Sequence, residues 1–339
     1  MRAIAYRQTG GPDVLQLVRR PRPEPGPGEV RVRVSVSGVN PTDWKARQGS
    51  RAGAPAAFPE QVPNQDGAGV LDSVGDGGSL RAGQRVWVWE AAWRRAGGTA
   101  AEYVVLPERQ VVPLPDGASF DLGASLGIPA LTAHRCLTVS DGGPDRLYPG
   151  ALDGRTVLVA GGAGAVGHAA IQLARWAGAT VITTVSSSDK AELVRRAGAH
   201  HMVNYHDEDA AVTIRRIATD GVNIVVEVAP TANATLDAAV TAVNAVVAIY
   251  ANNGGDEMAL TVRENMGPNT RYQFVLVYTV PETPKNHALQ DVSAAVADGA
   301  LPVGPKAGLP LHRYPLERTA DAHAAVQAGV VGKVLIDLD

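Results

Sequence analysis

Residues 156–178 of the chain are Thr156-Val-Leu-Val-Ala-Gly-Gly-Ala-Gly-Ala-Val-Gly167 followed by His168-Ala-Ala-Ile-Gln-Leu-Ala-Arg-Trp-Ala-Gly178. The apolar run before the glycines is typical of a buried strand, and the alanine-rich run after them is typical of a helix. A helix that starts directly after a glycine turn aims its unpaired N–H groups at any anion bound there. This stretch therefore predicts a site for the pyrophosphate of a dinucleotide.

The spaced glycines of this turn each have an expected role. Gly161 lets the chain leave the strand, Gly164 lets the backbone approach the pyrophosphate, and Gly167 lets the helix pack closely on the strand. Their spacing is Gly-x-x-Gly-x-x-Gly rather than Gly-x-Gly-x-x-Gly, so the alternative is a helix start that binds nothing. A second strand, 180–185, follows the helix in the order that a nucleotide site requires, which favours binding. The residues expected to contact the pyrophosphate are Gly161, Ala163, Gly164, Ala165, Val166 and Gly167.

The amino-acid composition limits the kinds of molecule that the protein is expected to bind. The 339 residues have a net charge of -3 and a pI near 6.2, which gives no basic field for nucleic acid or an anionic membrane. The N-terminal Met1-Arg-Ala-Ile-Ala-Tyr6 lacks the apolar region of a signal peptide, and no later apolar run is long enough to span a bilayer. A single cysteine, Cys136, excludes internal disulfides. We expect a cytoplasmic protein that acts on small molecules and binds neither nucleic acid nor membranes.

The pattern of polar and apolar residues divides the chain into two kinds of structure. Residues 1–127 contain short segments in which polar and apolar residues alternate, such as Glu29-Val-Arg-Val-Arg-Val-Ser-Val36. This alternation is typical of half-buried strands and predicts a compact β-rich unit without a dominant helix. From residue 128 the period changes, with strands at 156–160, 180–185, 201–204, 223–228, 243–249 and 272–277 and helices near 165–177, 188–197, 207–218 and 231–241. This alternation predicts an α/β fold with a doubly wound parallel sheet over 128–283. The segment 284–339 is expected to return to the first unit.

The end of the second strand of this sheet decides between the two nicotinamide cofactors. NAD sites place an acidic residue there, about 20 residues after the glycines, where it binds the ribose 2′-hydroxyl. This chain has Ser186-Ser-Ser188 at that place, and Lys190 follows. Serine hydroxyls can donate to the 2′-phosphate of NADP and a lysine can neutralise it, so the sequence favours NADPH. The alternatives are an ordinary exposed helix lysine for Lys190 and a packing role at a strand end for Tyr205. Asp189 is expected in the first turn of the next helix.

Several segments in a fixed order carry a resemblance to a known family. They are Gly38-Val-Asn-Pro-Thr-Asp-Trp44, Gln65-Asp-Gly-Ala-Gly69, Gly83-Gln-Arg-Val86, Gly98-Thr-Ala-Ala-Glu-Tyr103, Pro129-Ala-Leu-Thr-Ala133, the glycine turn, and Val203-Asn-Tyr205. The chain resembles, over nearly its whole length, the zinc-independent quinone oxidoreductase branch of the medium-chain dehydrogenase/reductase superfamily, the group that includes zeta-crystallin. The resemblance implies a Rossmann-type NADP-binding domain over 128–283 and a GroES-like catalytic domain over 1–127 and 284–339, with the active site in the cleft between them.

The resemblance also assigns residues to the cofactor and the substrate. It places Ser186, Ser187, Lys190 and Tyr205 around the adenosine 2′-phosphate, Thr132 near the nicotinamide, and Asn40 in the substrate cleft. Ligands of an open α/β sheet bind at the carboxyl ends of the strands, so Tyr250, at the end of the fifth strand, is expected to face the nicotinamide. Val228, at the end of the strand before it, is assigned to the cofactor as well.

A metal site is not expected. Zinc alcohol dehydrogenases of the same superfamily carry Gly-His-Glu where this chain has Pro63-Asn-Gln-Asp66, and their four-cysteine lobe has no counterpart here. His200 and His201 are neighbours on a strand and point to opposite faces, so they cannot bind one ion together. Without a Lewis acid, hydride transfer from NADPH suits an acceptor that conjugation already polarises, such as a quinone or an enone.

Three polar residues near the N-terminus are the candidates for catalysis: Asn40, Asp43 and Lys45. The Asn40 amide or the Lys45 ammonium can donate to a carbonyl oxygen that gains negative charge during hydride transfer. Alternatively, Asn40 as N-cap, Pro41 as the first helical residue and Asp43 as the third would form a capping box. The sequence leaves both interpretations open.

These observations together predict an NADPH-dependent quinone oxidoreductase that forms a homodimer or homotetramer. The alternatives are an enoyl reductase of the same fold acting on α,β-unsaturated carbonyl compounds, and a non-catalytic NADPH-binding protein with a crystallin-like or RNA-binding role, although the acidic pI argues against RNA. The apolar run Phe274-Val-Leu-Val-Tyr-Thr-Val-Pro281 is expected to wall the quinone pocket or to form an edge strand through which subunits pair.

Overall fold

The computed structural model describes residues 1–338, which divide into two compact units. One unit contains Met1–Ile128 together with the chain from Pro310 onward, and the other contains Pro129–Leu309. The first boundary lies next to the predicted one, whereas the chain returns to the first unit at 310 rather than at 284. The later return has a physical cause, because Asp291 accepts hydrogen bonds from His134 Nε2 and from Arg146 Nε, each at 2.8 Å, within the second unit.

The helices and strands follow one another along the chain in three segments. The first contains β1 (Arg2–Ala5), β2 (Gln16–Arg19), β3 (Glu29–Val39), α1 (Pro41–Gln48), β4 (Asp66–Val74), β5 (Arg85–Val88), β6 (Tyr103–Pro107), β7 (Val111–Pro113) and α2 (Phe120–Leu137). The second contains β8 (Thr156–Ala160), α3 (Ala165–Trp176), β9 (Thr180–Val185), α4 (Ser188–Ala197), β10 (His201–Asn204), α5 (Ala210–Ile217), β11 (Val222–Glu227), α6 (Pro230–Val240), β12 (Thr241–Ile249), α7 (Val262–Met266), β13 (Arg271–Phe274) and α8 (Glu282–Ala297). The last contains β14 (Leu311–Pro315), α9 (Thr319–Gln327) and β15 (Lys333–Asp337).

The first unit is built on a mainly antiparallel sheet with the order β14-β15-β3-β4-β5-β7, and β6 also pairs with β3. Its core is formed by apolar side chains of these strands, such as Val32, Leu71 and Val86. The half-buried alternation predicted for β3 holds only in part: Arg33 is exposed, but Arg31 and Ser35 are buried because β3 lies in the middle of the sheet. The guanidinium of Arg31 is paired with Glu24 at 2.6 Å, which offsets the cost of burial.

The second unit is a parallel sheet with the order β10-β9-β8-β11-β12-β13, connected by helices. The order reverses between β8 and β11, so the doubly wound α/β fold predicted from the sequence is confirmed. β8, β9, β10 and α4 have the predicted bounds. Leu158, Ile182, Val225 and Val247 form the centre of its core. The carboxyl ends of the strands therefore meet at one edge of the sheet, where such folds bind ligands.

Helix α2 is not predicted by the sequence. It is apolar on most of its faces and contains Pro129, whereas an amphipathic stripe and the absence of proline are the usual signs of a helix. Its side chains are nearly all buried, so packing rather than helix propensity stabilises it. Among residues 1–338, no helix has both the length and the hydropathy that a membrane span requires.

Candidate functional site

The glycine turn between β8 and α3 has the backbone that the sequence predicts. Gly161 has a φ of 66°, a left-handed conformation that favours glycine, and its carbonyl accepts the N–H of Gly164 at 3.1 Å. A Cβ at Gly167 would lie 2.6 Å from the Gly161 oxygen, so only glycine allows this close packing of helix on turn. Gly162 has a similar constraint that the sequence did not reveal, since a Cβ there would lie 2.3 Å from Thr183 Oγ1.

The N-terminus of α3 fits an anionic group. Gly164 is its N-cap and has no side chain to cap the helix, so the first N–H groups of the helix are not occupied by a capping side chain at this position. Gly161 and Gly164 are exposed, Ala165 and Val166 are partly exposed, and Ala163 is buried. The first four can meet a ligand directly, while Ala163 can contribute only its backbone.

The residues predicted to recognise the 2′-phosphate come together at the carboxyl ends of β9 and β10. Lys190 Nζ donates to Ser186 Oγ at 2.9 Å, and the Lys190 N–H donates to Ser187 Oγ at 3.3 Å, which caps α4. Tyr205 follows β10, and its N–H donates to the carbonyl of Val185 at 3.2 Å, which places it beside the serines. An ammonium and several hydroxyls on one partly exposed edge suit a phosphate.

The end of β9 carries no carboxylate. Asp189 lies in the first turn of α4, as predicted, and is exposed there. Its charge interacts favourably with the N-terminus of that helix. The edge beside Ser186 therefore has the donor character that a 2′-phosphate needs and that a ribose 2′-hydroxyl does not require.

Val228 and Tyr250 follow β11 and β12 at the same edge of the sheet. A Cβ at Gly161 would lie 3.0 Å from Val228 Cγ1, so Val228 lies directly beside the glycine turn. Tyr250 donates its N–H to the carbonyl of Glu227 at 3.0 Å. Burial raises the pKa of the Tyr250 phenol, which keeps it neutral. Thr132 lies on α2 with its side chain almost completely buried.

Asn40 belongs to a buried polar cluster of the first unit. Its Nδ2 donates to Asp66 Oδ2 at 2.7 Å, and Lys333 Nζ donates to its Oδ1 at 2.7 Å. Asp66 Oδ1 accepts the N–H of Ile128 at 2.9 Å, and only 2% of Asn40 is exposed. Burial raises the pKa of Asp66 and lowers the pKa of Lys333, while the opposite charge of each partner counteracts the shift. Both polar atoms of the Asn40 side chain are thus engaged inside the unit, which does not support the prediction that its amide faces the acceptor.

Asp43 and Lys45 lie on α1 in different surroundings. Asp43 is buried, and its Oδ2 accepts the N–H of Asn40 at 2.6 Å, the geometry of the capping interpretation. Burial raises the pKa of Asp43 to about 8. Lys45 is exposed, with its Nζ 5.9 Å from the centre of the Trp44 ring. The sequence did not point to Asp66 or Lys333, because nothing local distinguishes them from other strand residues.

No three His, Cys, Asp or Glu side chains within residues 1–338 are grouped as metal ligands. The segment 63–66, which leads into β4, places Asp66 in the polar cluster with Lys333 instead. His200 is not part of a pair with His201 either, since its Nδ1 accepts the N–H of Val181 at 3.0 Å.

Comparison with known proteins gives matches for both units. Residues 26–116 match the alcohol dehydrogenase GroES-like domain, and residues 165–294 match the zinc-binding dehydrogenase family. The quinone oxidoreductase of Rattus norvegicus is 31% identical over 345 residues, which cover 99% of this chain and 97% of the rat protein. Among solved structures, a mycobacterial protein in complex with NADPH is 28% identical with a TM-score of 0.81, and an NAD-dependent alcohol dehydrogenase is 29% identical with a TM-score of 0.85. Each of these two covers 100% of both chains.

The two family models define the general class, a dehydrogenase with a GroES-like domain and a nucleotide-binding domain. The similarity to the rat protein, which extends over the full length of the chain, identifies the branch within this class. The chain belongs to the quinone oxidoreductase branch of the medium-chain dehydrogenase/reductase superfamily, as its sequence motifs suggest.

Proposed function

We propose that this protein is an NADPH-dependent quinone oxidoreductase that transfers hydride without a metal ion. The observation that carries the choice of cofactor is the contact between Lys190 and Ser186 at the end of β9, where an NAD enzyme would have an acid. The mycobacterial relative was solved with NADPH, which agrees with this choice. The quinone oxidoreductases of rat and human, 31% and 28% identical, support the choice of acceptor.

The residues of the second unit would hold the cofactor in defined positions. The N–H groups at the start of α3 would bind the pyrophosphate, and Lys190, Ser186, Ser187 and Tyr205 would bind the 2′-phosphate. Val228, beside the glycine turn, is assigned to the nicotinamide half, together with Tyr250 and the buried Thr132. When bound, NADPH supplies the hydride, and a conjugated acceptor can take it without a Lewis acid.

The catalytic roles proposed for the first unit differ between the three candidates. Lys45 is exposed, and its ammonium would donate to the acceptor oxygen as negative charge develops. Asn40 and Asp43 would orient the start of α1, the helix that carries Lys45, because both are buried and bonded within the unit.

Turnover with defined acceptors tests the proposal. Steady-state oxidation of NADPH is measured against quinones, enones, aldehydes and saturated ketones, before and after dialysis against a chelator. We expect turnover with quinones that the chelator does not change. Turnover with enones alone would favour the enoyl reductase alternative, and turnover with no acceptor would leave only a binding role for NADPH. Loss of activity on chelation would refute the metal-free mechanism.

The edge strand β13 is the surface through which we propose that two copies associate. It ends the parallel sheet, Phe274 on it is 68% exposed, and Val262, Met266 and Leu276 nearby are exposed as well. An apolar open edge of this kind is a typical interface. Light scattering should give the mass of a dimer for the wild type and of a monomer for Phe274→Lys, while Val212→Lys, at an exposed position of α5, should leave the mass unchanged.

A further inference from the structure

A buried carboxylate, that of Glu227, lies at the centre of the turn that follows β11. Glu227 is completely buried. Its Oε1 accepts the N–H of Ala229, and the two carboxylate oxygens accept from Asn233 Nδ2 at 3.0 and 3.2 Å. The side chain therefore ties the last residue of a strand to the first turn of α6.

The backbone of the same turn joins two residues of the proposed cofactor site. The carbonyl of Glu227 accepts the N–H of Tyr250 at 3.0 Å, and the carbonyl of Val228 accepts the N–H of Asn253 at 3.0 Å. Val228 in turn lies beside the place where a Cβ of Gly161 would be. The turn after β11, the turn after β12 and the glycine turn consequently meet where Glu227 holds the chain.

The hydrogen-bond donors around Glu227, and their absence around the nearby buried Asp237, favour Glu227 as the group of the two that carries the charge. Asp237 lies on α6, one turn after Asn233, and neither of its buried carboxyl oxygens has a hydrogen-bond partner among residues 1–338. Burial raises the pKa of Asp237 far above its usual range, and the charge of Glu227 raises it further. Burial raises the pKa of Glu227 as well, but its N–H donors lower it. A carboxyl without donors is best accommodated as the neutral acid, and one with several donors as the anion.

The position of Glu227 just before the start of α6 also favours a negative charge on its carboxylate. The N-cap of α6, Ala229, has no side-chain cap, and the helix begins with Pro230. A carboxylate at the N-terminus of a helix satisfies free N–H groups and interacts favourably with the helix dipole. Asn233 contributes the remaining donor and fixes the orientation of the carboxylate.

We propose that Glu227 is a positioning residue for the cofactor: its carboxylate holds the turn 227–230, so that Val228 keeps its place beside the glycine turn and Tyr250 keeps its hydrogen bond to the carbonyl of Glu227. This inference rests on the proposed binding of NADPH at that edge of the sheet. Glu227 itself is buried and does not touch the cofactor. Its removal should therefore weaken binding of the nicotinamide half without affecting recognition of the 2′-phosphate.

The test uses a swap of hydrogen-bonding roles. Glu227→Gln removes the negative charge and replaces one acceptor oxygen with a donor, so the Asn233 amide either faces a donor there or has to turn over. In the double variant Glu227→Gln/Asn233→Asp the amide and the carboxylate exchange places, and the pairing is restored. Glu264→Gln, at an exposed position of α7, is the matched control.

Two readouts are measured on the full-length protein: the dissociation constant of NADPH by fluorescence titration, and hydrogen exchange of amides 228–230 and 250–253 without ligand. Loss of a charge-assisted hydrogen bond should weaken NADPH binding by roughly tenfold in Glu227→Gln. It should also speed up exchange at both turns. The double variant should recover both properties, and the control should change neither. In turnover, KM for NADPH should rise more than kcat falls, and the ratio of NADPH to NADH affinity should stay unchanged.

The inference is overturned if exchange and affinity in Glu227→Gln match the wild type, or if the double variant is no better than the single one. If Glu227→Gln does not fold, Asn233→Ala removes the same contact from a partly exposed residue, and unchanged exchange and affinity in that variant would also overturn it. A wild-type protein that fails to bind NADPH would refute the proposed function, while the exchange measurements would still decide the role of Glu227.

Discussion

Replacing Lys333 with methionine is expected to destabilise the first unit strongly, because it removes the cation from a buried cluster. Lys333 Nζ donates to Asn40 Oδ1 at 2.7 Å and lies 3.5 Å from Asp66 Oδ2, and 1% and 0% of the Lys333 and Asp66 side chains are exposed. Methionine retains an unbranched apolar chain, so the substitution mainly tests the charge. Removing one partner of a buried pair costs about 3–5 kcal/mol, since the other charge stays buried without compensation.

The effect should depend on pH. Burial raises the pKa of Asp66, and the ammonium of Lys333 opposes that rise. Without the ammonium, the pKa of Asp66 rises further, so the folded variant keeps a proton that the unfolded chain, with a carboxyl pKa of about 4, has already released at neutral pH. The stability that this protonation provides is present at low pH and is lost as the pH rises. The loss of unfolding free energy in Lys333→Met relative to the wild type should therefore be smaller at about pH 5 than at about pH 8.

The assay is urea unfolding followed by circular dichroism. Lys306→Met is the control, because Lys306 is exposed and such surface changes stay within about 0.5 kcal/mol. The double variant Lys333→Met/Asp66→Asn removes both charges and should recover most of the loss. A loss for Lys333→Met no larger than that of the control, or a double variant as unstable as the single one, would refute the reasoning.

Three further predictions concern single side chains. Gly167→Ala would place a Cβ 2.6 Å from the Gly161 oxygen and should cost about 1–3 kcal/mol in thermal unfolding, whereas Gly117→Ala, with no atom within 4 Å, should be tolerated. An equal effect of the two would contradict the packing argument. Because burial raises the pKa of Asp43 to about 8, the wild type loses stability as the pH rises from about 4 towards that value, and Asp43→Asn should lack this part of the urea-unfolding profile. Burial raises the pKa of the Cys136 thiol to about 12, so iodoacetamide should label it only in denaturant; rapid labelling of the native protein would show that it is accessible.

The local structure of the candidate cofactor edge could be predicted, because the residues that determine it are close together in the sequence. A strand, a glycine turn and a helix follow one another within 156–178, and the serines stand at the end of the next strand. Spacing along the chain then fixes spacing in the fold, since parallel strands bring their carboxyl ends to one edge. The contact between Lys190 and Ser186 follows from residues four apart on one helix start.

The polar cluster of the first unit could not be predicted in this way. Lys333 and Asp66 are 267 residues apart in the sequence, and Lys333 stands at the head of an apolar strand where a lysine usually marks an exposed end. The direction of the Asn40 side chain depends on both of them. Since only the fold brings these groups together, the sequence alone could not separate capping from catalysis at Asn40 and Asp43.

The same limit explains the displaced return of the chain to the first unit. The pattern of apolar and polar residues over 289–298 indicates an amphipathic helix, but it does not indicate which part of the chain that helix packs against. Asp291 lies on this helix, and its carboxylate accepts hydrogen bonds from His134 and Arg146, which are more than 140 residues earlier in the sequence. These hydrogen bonds to a buried carboxylate hold the helix in the second unit. A contact between residues so far apart in the sequence cannot be predicted from the local pattern.

Selection of the 2′-phosphate is the central claim, and Lys190 tests it most directly. The dissociation constants of NADPH and NADH are measured for the wild type, for Lys190→Glu and for Lys306→Glu as an exposed control. Losing a charge-assisted hydrogen bond costs about 1.5–3 kcal/mol, so the preference for NADPH should fall by about 10–100-fold in Lys190→Glu, with NADH affinity unchanged. The control should keep the wild-type preference. A Lys190→Glu variant that prefers NADPH as strongly as the wild type would contradict the proposed site.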